Sequence, residues 1–152
     1  MGLIDFVKNA GAKVFGYETD AMEQDRERAK GKSLENHVRT FGIDVEGLRV
    51  DFDDEAATVF GTAKSQQDRE KVALIVGNVE GVSKVDDRMR VVAPEPEAQY
   101  YTVVRGDTLS KIAKQYYGDA MKYPVIFEAN KPMLKNPDLI YPGQVLRIPP
   151  LQ

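Results

Sequence analysis

Cysteine is absent from this chain of 152 residues, and histidine occurs once. The first absence excludes disulfides, thiolate metal sites and a thiol nucleophile. The second leaves His37 with no other histidine to share a metal, so a hydrogen-bonded structural role is expected for it. No apolar run approaches the roughly 18 residues that a membrane span requires. The opening residues Met1-Gly2-Leu3-Ile4-Asp5-Phe6-Val7-Lys8 have no basic stretch ahead of an apolar core, and Phe6 stands where a myristoylation signal needs Ser or Thr. A cytoplasmic protein without a membrane span is expected. Also missing are a Gly-x-Ser-x-Gly elbow, a Walker loop and a His-Glu-x-x-His pair, so no enzyme is expected.

Excess positive charge is missing too. The formal charge is −3, and it is unevenly spread: residues 1–93 hold 14 Lys/Arg against 18 Asp/Glu, whereas residues 94–152 hold 7 against 6. Binding to phosphate backbones wants a concentrated basic face, so nucleic acid is not an expected partner. A small cation suits the acidic part better. The cluster Asp51, Asp53, Asp54 and Glu55 is not an EF-hand loop, because Ala56 and Thr62 occupy the positions that need Gly and Glu. A solvated hairpin turn is the expected role of that cluster.

What is present falls into blocks. Leu3, Phe6, Val7, Ala10 and Val14 share one face of an amphipathic helix that meets Gly11. Its polar face carries little positive charge, so packing on the next module is expected rather than a membrane surface. Residues 20–32 are rich in charges of both signs and predict a solvated helix start or a connection. Leu34, His37, Val38 and Phe41 repeat at helical spacing, with Ser33 placed to cap and Gly42 to stop. Leu48, Val50 and Phe52 alternate with charged residues as a half-buried strand. Asp53-Asp54-Glu55 turns the chain into a second strand at 57–61. Ser65 and Asp68 form a capping box ahead of the stripe Val72, Ile75, Val76, and Val85, Met89 and Val91 mark a third strand.

Val92-Ala93-Pro94-Glu95-Pro96-Glu97-Ala98-Gln99 predicts an extended, self-repelling linker across which little structure passes. Beyond it, Leu109, Ile112, Ala113 and Tyr116 repeat at helical spacing behind Asp107, which is placed to cap. Pro124 opens a second helix carrying Ile126, Phe127 and Asn130, and Leu146 and Ile148 alternate in a last strand.

The order helix, strand, strand, helix, strand, with Val59-Phe60-Gly61 and Gly81-Val82-Ser83-Lys84-Val85, resembles a BON domain, a non-catalytic binding unit. Gly106-Asp107-Thr108-Leu109, Ala129-Asn130 and Tyr141-Pro142-Gly143 resemble a LysM domain, a βααβ unit that in other proteins holds N-acetylglucosamine polymers of cell walls. The whole chain resembles the small bacterial BON–LysM potassium-binding proteins. The likeness runs from Met1-Gly2-Leu3 through Val76-Gly77-Asn78 and Val85-Asp86-Asp87 to Ile126-Phe127-Glu128-Ala129-Asn130-Lys131-Pro132 and the end.

The resemblance implies an α+β chain of two small domains. Residues 1–20 would form the N-terminal helix docking on BON, 21–92 an αββαβ BON domain with its helices on one face, 93–99 the linker and 100–152 the LysM domain. It further implies a monomeric sensor or buffer that binds K⁺ and changes shape. Such an ion is commonly held by backbone carbonyls replacing its water shell, and helix C-termini leave carbonyls unpaired at the negative end of the dipole. Two segments broken by glycine offer them: the carbonyls of Val7 and Ala10, with Ala12 as a further candidate, and those of Gly77, Val79 and Val82. In the LysM half the family's sugar groove maps onto Gly106, Asp107, Thr108 and Leu109, facing Asn136, Pro137, Ile140 and Tyr141. Peptidoglycan binding through that groove, and a non-catalytic adaptor docking on a protein partner, stay open as alternatives.

Overall fold

The computed structural model describes residues 3–6 and 23–151. Two layers form the first half. Its sheet contains β1 (Leu3–Asp5), β2 (Val45–Asp53), β3 (Ala56–Ser65), β4 (Lys84–Asp87) and β5 (Arg90–Ala93), in the order β1-β4-β3-β2, with β5 also on β3. β2 runs antiparallel to β3, whereas β4 and β5 run parallel to successive halves of β3. Two helices, α1 (Glu23–Thr40) and α2 (Gln66–Gly77), cover the buried face. Alternation along the strands puts Leu48, Val50, Ala57, Val59 and Val85 into one core with Leu34 and Val38 of α1 and Val72–Val76 of α2.

Local chemistry explains most boundaries. Asp54 and Glu55 have φ of 47° and 72°, the left-handed pair that a two-residue hairpin turn needs. Ser65 caps α2 by accepting the Asp68 N–H at 3.1 Å, as the capping box predicts. The predicted third strand is two short ones: the Asp87 carboxylate accepts the Met89 N–H at 3.0 Å and the Arg69 guanidinium at 2.9 Å, and the chain kinks there. Burial raises the Asp87 carboxyl pKa, while those two bonds oppose the rise.

Two helical expectations need correction. The spacing of Leu3 and Phe6 predicts a helix, but Leu3–Asp5 is a strand, antiparallel to β4 with Ile4 opposite Val85. Residues 7–20 of that predicted helix lie outside the described residues. α1 starts ten residues before the predicted cap at Ser33, inside the charged stretch. Polar contacts hold the helix in place: Glu27, in this early part, accepts the Asp54 N–H at 2.6 Å, and Glu35, just beyond Ser33, accepts the Val50 N–H at 3.1 Å. These carboxylates close the outer edge of β2, which would otherwise expose unpaired amides. Gly31 permits the close approach, since a Cβ there would lie 2.5 Å from the Val50 carbonyl oxygen.

His37 is half-buried on α1 with its ring edge-on to Phe41 at 5.1 Å between centroids, so among the described residues its side chain packs against an aromatic ring where a hydrogen bond was expected. Burial lowers its pKa from 6.5. The unfolded chain therefore takes up the proton more readily, so this residue's contribution is complete above about pH 6.5 and is lost as pH falls toward its folded pKa. Thermal unfolding between about pH 7.5 and pH 5.5 should fall less steeply for His37→Gln than for the unaltered chain. Identical slopes would refute the assignment.

The second half is a βααβ unit: β6 (Gln99–Thr102), α3 (Leu109–Tyr117), a 3-10 turn (Ala120–Lys122), α4 (Tyr123–Ala129) and β7 (Val145–Ile148). β6 and β7 pair antiparallel over a core of Leu109, Ile112, Ile126, Leu134, Leu146 and Ile148. Pro124 lies in the first turn of α4, as predicted. Asp107 does not cap α3; Thr108 does, accepting the Lys111 N–H at 3.1 Å. Among the described residues, no helix is long and apolar enough to cross a membrane.

Candidate functional site

The last turns of α2 are apolar and buried through Gly77. The Asn78 N–H closes the helix on the Leu74 carbonyl at 2.9 Å, and the Val79 N–H reaches Val76 O at 3.3 Å. The chain then folds into a tight turn in which Val82 N–H donates to Val79 O at 3.2 Å, with Gly81 at φ +95°. This geometry leaves carbonyls over. Among the described residues, neither Gly77 O nor Val82 O accepts a hydrogen bond, although both residues are buried. Gly77 O stands at the negative end of the helix dipole, and Val82 O ends the turn that follows it. Val79 O is engaged by Val82 N–H but keeps a second lone pair. The Lys30 ammonium lies 3.5 Å from the Glu80 carbonyl on the same turn.

Phe6 grips this turn at both ends. Its ring lies against the Gly77 Cα, so close that a methyl added there would come within 2.2 Å of three ring atoms. Its N–H donates to the Ser83 carbonyl at 2.8 Å. Three of the six expected carbonyl ligands, Gly77, Val79 and Val82, lie along this one turn beside the N-terminal strand. The other three, Val7, Ala10 and Ala12, lie outside the described residues. Of the acidic cluster, Asp51 pairs with Arg49 at 3.2 Å on the exposed side of β2.

The same turn touches the second half of the chain. The Asn78 carboxamide accepts the Val145 N–H and donates to the Val145 carbonyl, both at 2.9 Å, with Met133 Sδ at 3.4 Å. The Val145 side chain joins the core of the first half, together with part-buried Tyr100 and Met133. Two residues along, Asn130 makes the same pair of bonds to Arg147, accepting its N–H at 2.9 Å and donating to its carbonyl at 3.0 Å. Asparagines from the two halves therefore occupy successive positions on the free edge of β7.

Deeper in the joint, the Glu70 carboxylate accepts Arg147 Nη2 at 2.6 Å and Nε at 3.0 Å. Its other oxygen accepts Ala98 N–H at 3.0 Å and Gln66 Nε2 at 3.2 Å. Burial, reinforced by the nearby Glu70 charge, pushes the Tyr100 hydroxyl pKa up. Burial also lowers the Lys71 ammonium, with Arg147 adding to the effect. The expectation that little structure crosses the linker is therefore wrong: residues 94–97 are exposed, but α2 packs on β7 behind them. Sequence reasoning missed Glu70, Asn78 and Arg147. A signal existed for one of them, since Arg147 interrupts an apolar strand whose four residues are all buried.

The residues assigned to a sugar groove largely serve the scaffold. Asp107 accepts the Tyr101 hydroxyl at 2.6 Å and the Val104 N–H at 2.8 Å. The first bond is the main reason the Tyr101 pKa rises to about 12. Thr108 caps α3, Leu109 is buried, and Ile140 packs against the same core. Gly106 O accepts Lys111 Nζ at 3.2 Å. On the facing side, Asn136 accepts the Asp138 N–H at 2.8 Å, Pro137 is part-buried, and Tyr141 N–H meets the Gln144 side chain at 3.4 Å. The two loops are stitched by Val103, whose N–H donates to Gln144 O and whose carbonyl accepts Gly143 N–H, both at 2.8 Å.

Family models for a BON domain and a LysM domain match residues 26–93 and 101–149. Across 150 residues, 98% of this chain and 99% of the relative, the sequence is 47% identical to the potassium binding protein Kbp of Escherichia coli O6:H1. It is also 41% identical over 100 residues to an uncharacterized protein of Deinococcus radiodurans, covering 59% of this chain and 39% of that one. A shorter match, 49% over 53 residues, reaches 11% of an esterase of Mycobacterium tuberculosis.

Proposed function

Because the chain belongs to the family of the potassium binding protein Kbp, we propose that it is a potassium sensor or buffer of the cytoplasm, holding K⁺ with main-chain oxygens at the end of α2. The observation that carries the reading is the pair of buried carbonyls, Gly77 and Val82, without a hydrogen-bond donor among the described residues. A buried carbonyl left without a partner is costly, and a weakly hydrated monovalent cation satisfies several at once. Val79 O completes the set on this turn, and Val7, Ala10 and Ala12 follow Phe6 in sequence as the remaining ligands.

Occupancy shifts conformation through linkage. An ion that binds only the docked state stabilises it by RT ln(1 + [K⁺]/Kd), about 2.7 kcal/mol at a hundredfold excess over Kd. Such a term is large enough to fix the N-terminal strand and the joint between the halves.

Calorimetry on the full chain with KCl, NaCl and choline chloride at equal ionic strength tests the proposal. A saturating heat with K⁺, absent with choline and much weaker with Na⁺, is expected, with amide shifts concentrated at residues 77–83. An equal response to Na⁺ and K⁺, or shifts confined to the LysM half, would overturn it.

A further inference from the structure

Resting on the potassium reading above, we infer that Asn78 is the positioning residue that passes ion occupancy at the α2 turn to the LysM half. Asn78 lies between two of the proposed ligands, Gly77 and Val79. Its N–H and the Gly77 carbonyl belong to one planar peptide unit and point in opposite directions. The bond from this N–H back to Leu74 O at 2.9 Å therefore aims the Gly77 carbonyl out beyond the helix end. The side chain of the same residue is held from the other half of the molecule, by the N–H and the carbonyl of Val145.

The side-chain type suits this role. A carboxamide offers one acceptor and one donor on the same edge, as a peptide group does, so it completes the β7 ladder at Val145 as another strand would. Aspartate would set an oxygen against the Val145 carbonyl, and alanine would leave both groups of Val145 without partners. Turning the Gly77 carbonyl changes φ at Asn78, and the clamp at Val145 holds the Asn78 side chain against which that torsion is set, so carbonyl direction and docking constrain each other. By linkage, whatever factor docking contributes to ion affinity, the ion returns to docking. Asn130 provides an internal reference, because it makes the same clamp on Arg147 wholly within the LysM half.

Hydrogen exchange and calorimetry on the full chain test this coupling. In the unaltered protein, replacing choline by K⁺ should slow exchange at the Val145 amide about tenfold and leave the Arg147 amide nearly unchanged. Asn78→Asp and Asn78→Ala should bind K⁺ about tenfold more weakly and lose the K⁺ effect at Val145. Variants that bind K⁺ as tightly as the parent overturn the coupling. So does a Val145 amide indifferent to K⁺ in the unaltered protein while binding heat is present, a measurement that needs no variant to fold. Absence of any K⁺ heat in the unaltered protein overturns the potassium reading itself, and the coupling with it.

Discussion

Gly77→Ala should cost about 2–3 kcal/mol of stability and most of the response to K⁺ in one step. Two effects of opposite sign compete at this position. Gly77 is the last residue of α2, and alanine in a helix is favoured over glycine by up to about 1 kcal/mol. Its φ is not in the left-handed region, so the backbone itself accepts alanine. Against that stands the Phe6 ring, which already fills the volume the methyl would take. Either the ring leaves, losing a burial worth about 1.5–3 kcal/mol, or helix and strand move apart and strain a close-packed core. Sterics win. Losing the ring also frees the strand ahead of Val7, and with it half of the proposed ligands. Thermal unfolding with and without K⁺ measures both losses. Phe6→Ala supplies the control: in its background the added methyl should cost almost nothing, a coupling that a double-mutant cycle reads directly. A Gly77→Ala protein at least as stable as its parent would show that the ring does not sit there.

The limits of sequence reading follow the same line between apolar pattern and everything else. Leu48, Val50 and Phe52, the turn at Asp54-Glu55, the Ser65 cap and the helix stop at Gly77 were legible because each rests on a period of two, a preferred turn residue or a cap. The first half of α1 was not, since Glu27 anchors it through the Asp54 amide of the hairpin turn rather than through an apolar stripe. Leu3 and Phe6 sit three apart, which satisfies a helical period, yet Phe6 enters the core at the end of a strand only three residues long. So few positions cannot separate two periods. Of the site, the carbonyl-bearing turn was legible only through glycines and family likeness, because main-chain ligands leave no side-chain signature. Asn78 and Glu70 read as ordinary polar residues until β7 lies beside them.

Glu70→Ala should be the most destabilising single change in the joint, at about 3–5 kcal/mol, or roughly 10 °C in the unfolding midpoint for a chain of this size. The Glu70 and Arg147 side chains are 1% and 7% exposed, so neither charge can turn to water when the other is removed. Arg147 would keep only its side-chain bond to the Ala129 carbonyl at 3.1 Å, and the Ala98 N–H and the Gln66 amide would lose their acceptor. A contrast comes from Lys64 and Asp44, which pair at 3.0 Å with 72% and 73% of their side chains exposed. Removing that pair should leave the unfolding midpoint almost unchanged, because water replaces the partner. Burial, not the count of ion pairs, sets the difference. Glu70→Leu combined with Arg147→Met should recover much of the loss, since no unpaired buried charge remains; the residual deficit of about 1–3 kcal/mol belongs to the Ala98 N–H and the Gln66 amide, which still lack their acceptor. As Glu70 lies on α2, Ala98 at the end of the linker and Arg147 on β7, the single variant should also separate the halves, so that two unfolding transitions replace one. A Glu70→Ala protein that melts in one transition, within about 1 kcal/mol of its parent, would mean that this buried pair does not hold the halves together.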